Sequence, residues 1–112
     1  MKVATMVEAA EMLLEVYHAY TKRILNKITD PYLQALVITT YREMDLKQLL
    51  DTIKNIKDEY YKALANNYTE AAYYLYQKAY RFYGEFETKI IERLVTLVKI
   101  YAIFLLKTKY NS

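Results

Sequence analysis

The sequence predicts an all-α fold on three observations: a scarcity of chain breakers, apolar residues recurring at steps of three and four, and one strong stop-and-restart signal. The chain has one Gly and one Pro in 112 residues. Tight hairpins need residues that tolerate positive φ, so few sheet-rich domains are built with so few. A length of 112 residues is one domain on ordinary priors, here residues 1–112. The expected architecture is an antiparallel bundle of four helices, or three if Asp45 marks only a kink, ending in a long C-terminal helix.

The first helix is expected from about Val3 to Ile28. Val3, Met6, Ala10, Leu13, Tyr17, Tyr20 and Ile24 follow the helical period, and Val7, Leu14, Thr21 and Leu25 widen the stripe. Glu8, Glu11 and Glu15 precede Lys22, Arg23 and Lys27, an order that complements the helix macrodipole. Thr29-Asp30-Pro31 then stops one helix and starts the next: Pro31 disfavours helical dihedrals at Asp30, Asp is a good N-cap, and Pro suits the first helical position. The second helix carries Leu33, Leu36, Val37, Tyr41 and Met44 on one stripe. After Asp45 the phase changes to Leu46, Leu49, Ile53, Ile56, Tyr60 and Leu64. Asp45 and Gln48 read as a capping box, so a break or sharp kink is expected at Asp45.

Asn66-Asn67-Tyr68-Thr69 marks the next boundary. Asn tolerates the left-handed conformation that closes helices, and Thr69 is a suitable cap for the last helix. Ala72, Tyr76, Ala79, Tyr83, Phe86 and Ile90 then form a seam that continues through Leu94, Leu97, Tyr101 and Phe104. Gly84 does not disturb its phase, which predicts one helix from about Thr69 to Lys107, roughly 58 Å long at 1.5 Å per residue. Over about a dozen residues, Asn67 to Ala72 with Tyr76 and Ala79 resembles the helical hairpin of tetratricopeptide repeats. The small residue those repeats require in the preceding helix does not fall at the matching position, and no function is carried over.

Composition narrows the chemistry. With no Cys, disulfides and thiolate metal sites are excluded. The absence fits a reducing compartment, and a cytoplasmic location is expected. Sixteen basic and 13 acidic residues give a net charge of +3, too even to demand an anionic partner. Fourteen tyrosines, with abundant Ile, Lys and Leu, resemble the bias of thermophile proteins. Met1–Met6 has no apolar core of the signal-peptide kind. The apolar stretch Leu94–Leu106 contains Lys99 and falls short of the ~20 residues a membrane span needs.

Enzymatic motifs are missing. Ser112 is the single Ser and His18 the single His, so no nucleophile–base pair is legible, and one Gly builds no phosphate loop. No cofactor is expected. Glu11, Glu15 and His18 share a helical face with the Glu-x-x-His spacing of di-iron carboxylate bundles, and Glu43 is a conceivable bridging carboxylate. The helical wheel puts these residues opposite Tyr17, where a solvated polar face is the simpler reading. Lys62, Lys78 and Arg81, interleaved with tyrosines, combine cations with stacking surfaces as nucleic-acid binders do.

The strongest functional expectation comes from the last helix. Between Leu94 and Leu106 it is apolar almost all round, and Tyr73, Tyr74, Tyr80 and Phe82 lie off its main seam. Such a helix is central to a bundle, in a membrane, or buried by association. The expected function is a non-enzymatic interaction or assembly module acting as a homo-oligomer, a dimer in the simplest case. Its expected interface residues are Tyr73, Tyr74, Tyr80, Phe82, Val98, Ile103 and Leu105. A nucleic-acid-binding regulator and a carboxylate–histidine metal-binding bundle are the alternatives.

Overall fold

The computed structural model describes residues 1–111. Among them the chain forms four helices and no strand: α1 (Val3–Lys27), α2 (Pro31–Thr40), α3 (Met44–Ala65) and α4 (Thr69–Asn111). The helical content and the order of elements agree with the sequence expectation.

Contacts at the helix ends fix the topology. The Tyr76 hydroxyl donates to the Met1 carbonyl at 2.9 Å, and the Ala4 N–H meets the Tyr61 hydroxyl at 3.4 Å. The start of α1 therefore lies beside the end of α3 and the first turns of α4. At the other end the Lys27 ammonium sits 6.0 Å from the Tyr101 ring centre, and Lys107 pairs with Asp30 at 2.8 Å. So α1 runs parallel to α4, and α2 and α3 return between them. The bundle has three legs, the second made of two helices laid end to end.

The lengths explain this arrangement. At 1.5 Å per residue, the 43 residues of α4 span about 65 Å and the 25 of α1 about 38 Å. Neither α2 nor α3 alone matches α4, but in series they return along most of it. The molecule measures 67 × 17 × 16 Å, one long helix end to end. Gly84 lies inside α4 without interrupting it.

Each boundary has a chemical cause. The Asp30 carboxylate accepts from the N–H groups of Tyr32 (2.9 Å) and Leu33 (3.1 Å), capping α2 one residue before Pro31. At the end of α3, Asn67 adopts φ 60°. Its N–H bonds to the Leu64 carbonyl at 3.1 Å, and the Tyr68 N–H bonds to the Ala63 carbonyl at 2.9 Å. These two bonds make a Schellman closure, which the left-handed tolerance of Asn permits. Thr69 is the first helical residue rather than the cap, and the first turn closes from Ala72 N–H onto the Tyr68 carbonyl at 2.9 Å.

The expected break in the second leg is real but falls earlier than Asp45, over residues 41–43. Glu43 stands at the N-cap of α3 without a side-chain capping bond, so the Asp45–Gln48 box does not form. Asp45 lies in the first turn, where its carboxylate meets Arg93 of α4 instead. Met44, expected on the α2 stripe, is exposed because the break takes it off that helix. Leu64 is exposed too: the tight turn after α3 draws the chain in through the small side chains Ala63 and Ala72, both buried, and leaves the larger one outside.

The core joins all three legs. Met6, Tyr17, Ile24, Ile28, Val37, Leu46, Ile53, Phe86, Ile90 and Leu97 are almost completely buried in one cluster. The α4 seam expected from the sequence is the buried one, with Tyr76, Leu94, Tyr101 and Phe104 half-buried at its edges.

Candidate interaction face

A helix in a three-legged bundle has two neighbours, so about half its circumference faces outward. On α1 and α3 that outward half is largely charged or polar, with Glu8, Glu11, Glu15, Lys22 and Arg23 on the first and Lys47, Asp51, Asn55 and Asp58 on the second. On α4 the outward half changes character along its length. Its N-terminal part presents Tyr73, Gln77, Tyr80, Arg81, Gly84 and Glu85. Its C-terminal part presents Ile91, Val95, Val98, Ala102 and Leu105, all exposed, in strict alternation of four and three. Ile91, Val95, Val98 and Leu105 retain 49%, 45%, 51% and 50% of their surface. An isolated exposed aliphatic is ordinary; a continuous strip of them is a contact surface in waiting.

The strip widens onto α1. Val16 is exposed and lies about three turns before Lys27 on the same line of the helix, the line that meets Tyr101 of α4. Met12 is one turn further back and also exposed.

The residues singled out from the sequence divide between two faces and the core. Tyr73, Tyr80, Val98 and Leu105 share the outward face of α4; Tyr74 and Ile103 are exposed on the adjoining face, toward residues 92 and 99. Phe82 is half-buried against the core, with the Arg81 guanidinium 5.5 Å from its ring centre. Ile91, Val95 and Ala102 complete the strip and are not among the expected interface residues. Their signal is present in the sequence as a second heptad, hidden because the core seam runs beside it and the helix reads as apolar all round.

The carboxylate–histidine group does come together, in an open cleft of about 380 Å³ lined by Glu11, Leu14, Glu15, His18, Glu43 and Leu50. His18 Nδ1 lies 2.6 Å from the Tyr41 hydroxyl. Burial, followed by the nearby Glu43 carboxylate, pushes the Tyr41 phenol up to about 12. Among the described residues no group of three or more His, Asp or Glu is placed to hold a metal ion. Glu11, Glu15 and His18 are exposed, the solvated face that the helical wheel indicates.

Of the cations considered for nucleic acid, Lys78 and Arg81 lie one turn apart on α4 and Lys62 lies on α3. Lys62 is nine positions from the buried Ile53, about 180° around α3, and so points away from the bundle. Arg81 lies over Phe82, and Lys78 is half-buried. A larger polar cleft, about 620 Å³, opens where the second leg breaks against α4, lined by Thr39, Thr40, Arg42, Lys89, Glu92, Arg93 and Thr96. Its strongest cation is already engaged: Arg93 donates to the Arg42 carbonyl at 2.5 Å and to Asp45. Ser112 lies outside the described residues. No described helix is long and apolar enough to cross a membrane.

Comparison of the chain with protein-family models, with curated proteins and with solved structures gave no match. The class that the fold defines is therefore architectural: an all-α, three-legged bundle built on one long helix.

Proposed function

We propose that the protein is a non-enzymatic assembly module that works as a homo-oligomer, with the outward C-terminal face of α4 as its contact surface. The observation that carries this reading is the strip Ile91–Val95–Val98–Ala102–Leu105, exposed on a helix whose opposite face already forms the core. A single copy leaves that strip in water. Covering it recovers roughly 25 cal/mol for each Å² of apolar surface removed. Two further features support the reading. α4 runs unbroken past Gly84, so the strip is straight and stiff, and Val16 and Met12 extend it sideways.

The test is sedimentation at two protein concentrations, with Val98→Glu alongside the native chain. The expected result is a concentration-dependent oligomer for the native protein and a folded monomer for Val98→Glu, because Val98 does not contribute to the core. A native chain that stays strictly monomeric at high micromolar concentration overturns the reading.

A further inference from the structure

The outward strip of α4 has the repeat of a coiled-coil seam. Thr88, Val95 and Ala102 recur every seven residues, as do Ile91, Val98 and Leu105, and the two sets interleave at steps of three and four. This is the a and d pattern, with β-branched side chains at several positions. A seam of this kind is complementary to another helix bearing the same pattern, and the helix available is α4 of a second copy.

Charges beside the seam select its direction. Glu92 and Lys99 flank it on one side, one heptad apart, both exposed, and neither makes an ion pair with another side chain among the described residues. In an antiparallel pair, flanking positions of this type face their own equivalents across the axis. Glu92 then meets the partner's Lys99, and Lys99 meets the partner's Glu92. A parallel, in-register pair sets Glu87 against the partner's Glu92, two like charges. The antiparallel register also matches side-chain size: Ile91 faces the partner's small Ala102, Val95 faces the partner's Val98, and Thr88 faces the partner's Leu105.

We propose that two copies of this chain associate through antiparallel α4 helices, about a two-fold axis passing between Val95 and Val98, with reciprocal Glu92–Lys99 pairs across it. The proposal rests on the reading of this face as a self-association surface and specifies its geometry. A closed, isologous contact of this type buries the same patch on both copies and leaves no repeat of it open for further growth.

The chain has no native Cys, so introduced thiols report the register directly. Thr88→Cys protein mixed with Leu105→Cys protein is expected to form a mixed disulfide dimer on mild oxidation. Leu105→Cys alone is expected to form none, since the two Leu105 positions lie about 25 Å apart along the antiparallel axis. Glu92→Lys and Lys99→Glu should each raise the dimer dissociation constant several-fold, and the double variant E92K/K99E should restore it. Circular dichroism checks that each variant keeps its helicity. A dimer by sedimentation in which Leu105→Cys links to itself, or in which E92K/K99E is no better than either single change, overturns the antiparallel register while leaving self-association standing. A native monomer removes both readings together.

Discussion

Arg93 of α4 holds Asp45 of α3 with both of its terminal nitrogens, and the same guanidinium donates to the Arg42 carbonyl in the break between α2 and α3. The Arg93 side chain is 11% exposed and that of Asp45 38%. Lys89 adds a third charge, 3.7 Å from the carboxylate. The point where the second leg loses its helical hydrogen bonds is thus a point where α4 holds it by charge. One Arg satisfies a carbonyl that the broken helix leaves free and anchors the first turn of the next helix.

Removing this clasp has a measurable cost. Asp45→Asn leaves Arg93 without its counter-charge and should lower unfolding free energy by about 0.5–1.5 kcal/mol, the value for a charged hydrogen bond reduced because the carboxylate is more than a third exposed to screening solvent. The effect depends on pH. The Arg93 hydrogen bonds hold the Asp45 carboxyl below its ordinary value, against a smaller opposing effect of burial. A depressed carboxyl stabilises the fold above the unfolded value of about 3.9 and stops doing so as pH falls through the folded value. Urea titrations at pH 7 should therefore show a full gap between native and Asp45→Asn protein, and the gap should shrink as pH falls progressively below the unfolded carboxyl value.

Leu97 is completely buried in the seam. Leu97→Ala should cost about 2–5 kcal/mol through the cavity it leaves. Leu97→Asp should unfold the chain, since it buries an unpaired charge. Loss of the far-ultraviolet helical signal at 25 °C checks the second. A Leu97→Asp protein of native helicity and native size would show that the seam is misplaced.

Gly84 sits in the interior of a 43-residue helix, and a Cβ built on it meets nothing within 4 Å. Gly84→Ala should stabilise the protein by about 0.5–1 kcal/mol, mostly by restricting the unfolded chain. Thermal melts at low protein concentration read this as a higher midpoint.

Three phenols are held neutral by the fold. Burial raises Tyr17, and it pushes Tyr41 and Tyr83 up to about 12, with Glu43 and Glu87 respectively adding to the shift. Unfolded tyrosines ionise near 10. The neutral forms contribute stability that is fully present below pH 10 and is lost as pH rises toward 12. An absorbance titration should show late-ionising tyrosines in the native protein, with helicity declining over the same interval. Tyr41→Phe and Tyr83→Phe should each remove part of the late-ionising fraction.

The sequence carries the helices more fully than their contacts. Pro31 after Asp30 and the Asn66-Asn67 pair punctuate the chain through strictly local chemistry, and the structure places boundaries at both. Asp45 is harder to read. Its local neighbours offer a capping box, while its actual partner is Arg93, 48 positions away, and nothing in the spacing announces that pairing. The outward strip of α4 is legible only as excess hydrophobicity. Two interleaved heptads on one helix blur into an apolar circumference until the neighbours show which side is occupied. The period of α1 turns His18 toward solvent, and it is exposed there. Its contact with Tyr41 depends on where α2 ends, which periodicity does not determine.

A body 67 Å long and 17 Å wide tumbles and diffuses unlike a sphere of equal mass. On a gel-filtration column one such rod emerges early, at the volume of a heavier compact particle. Two rods overlapping along the C-terminal halves of α4 gain girth as well as some reach. Elution volume alone therefore confuses one copy with two, whereas mass read from sedimentation equilibrium or light scattering separates them.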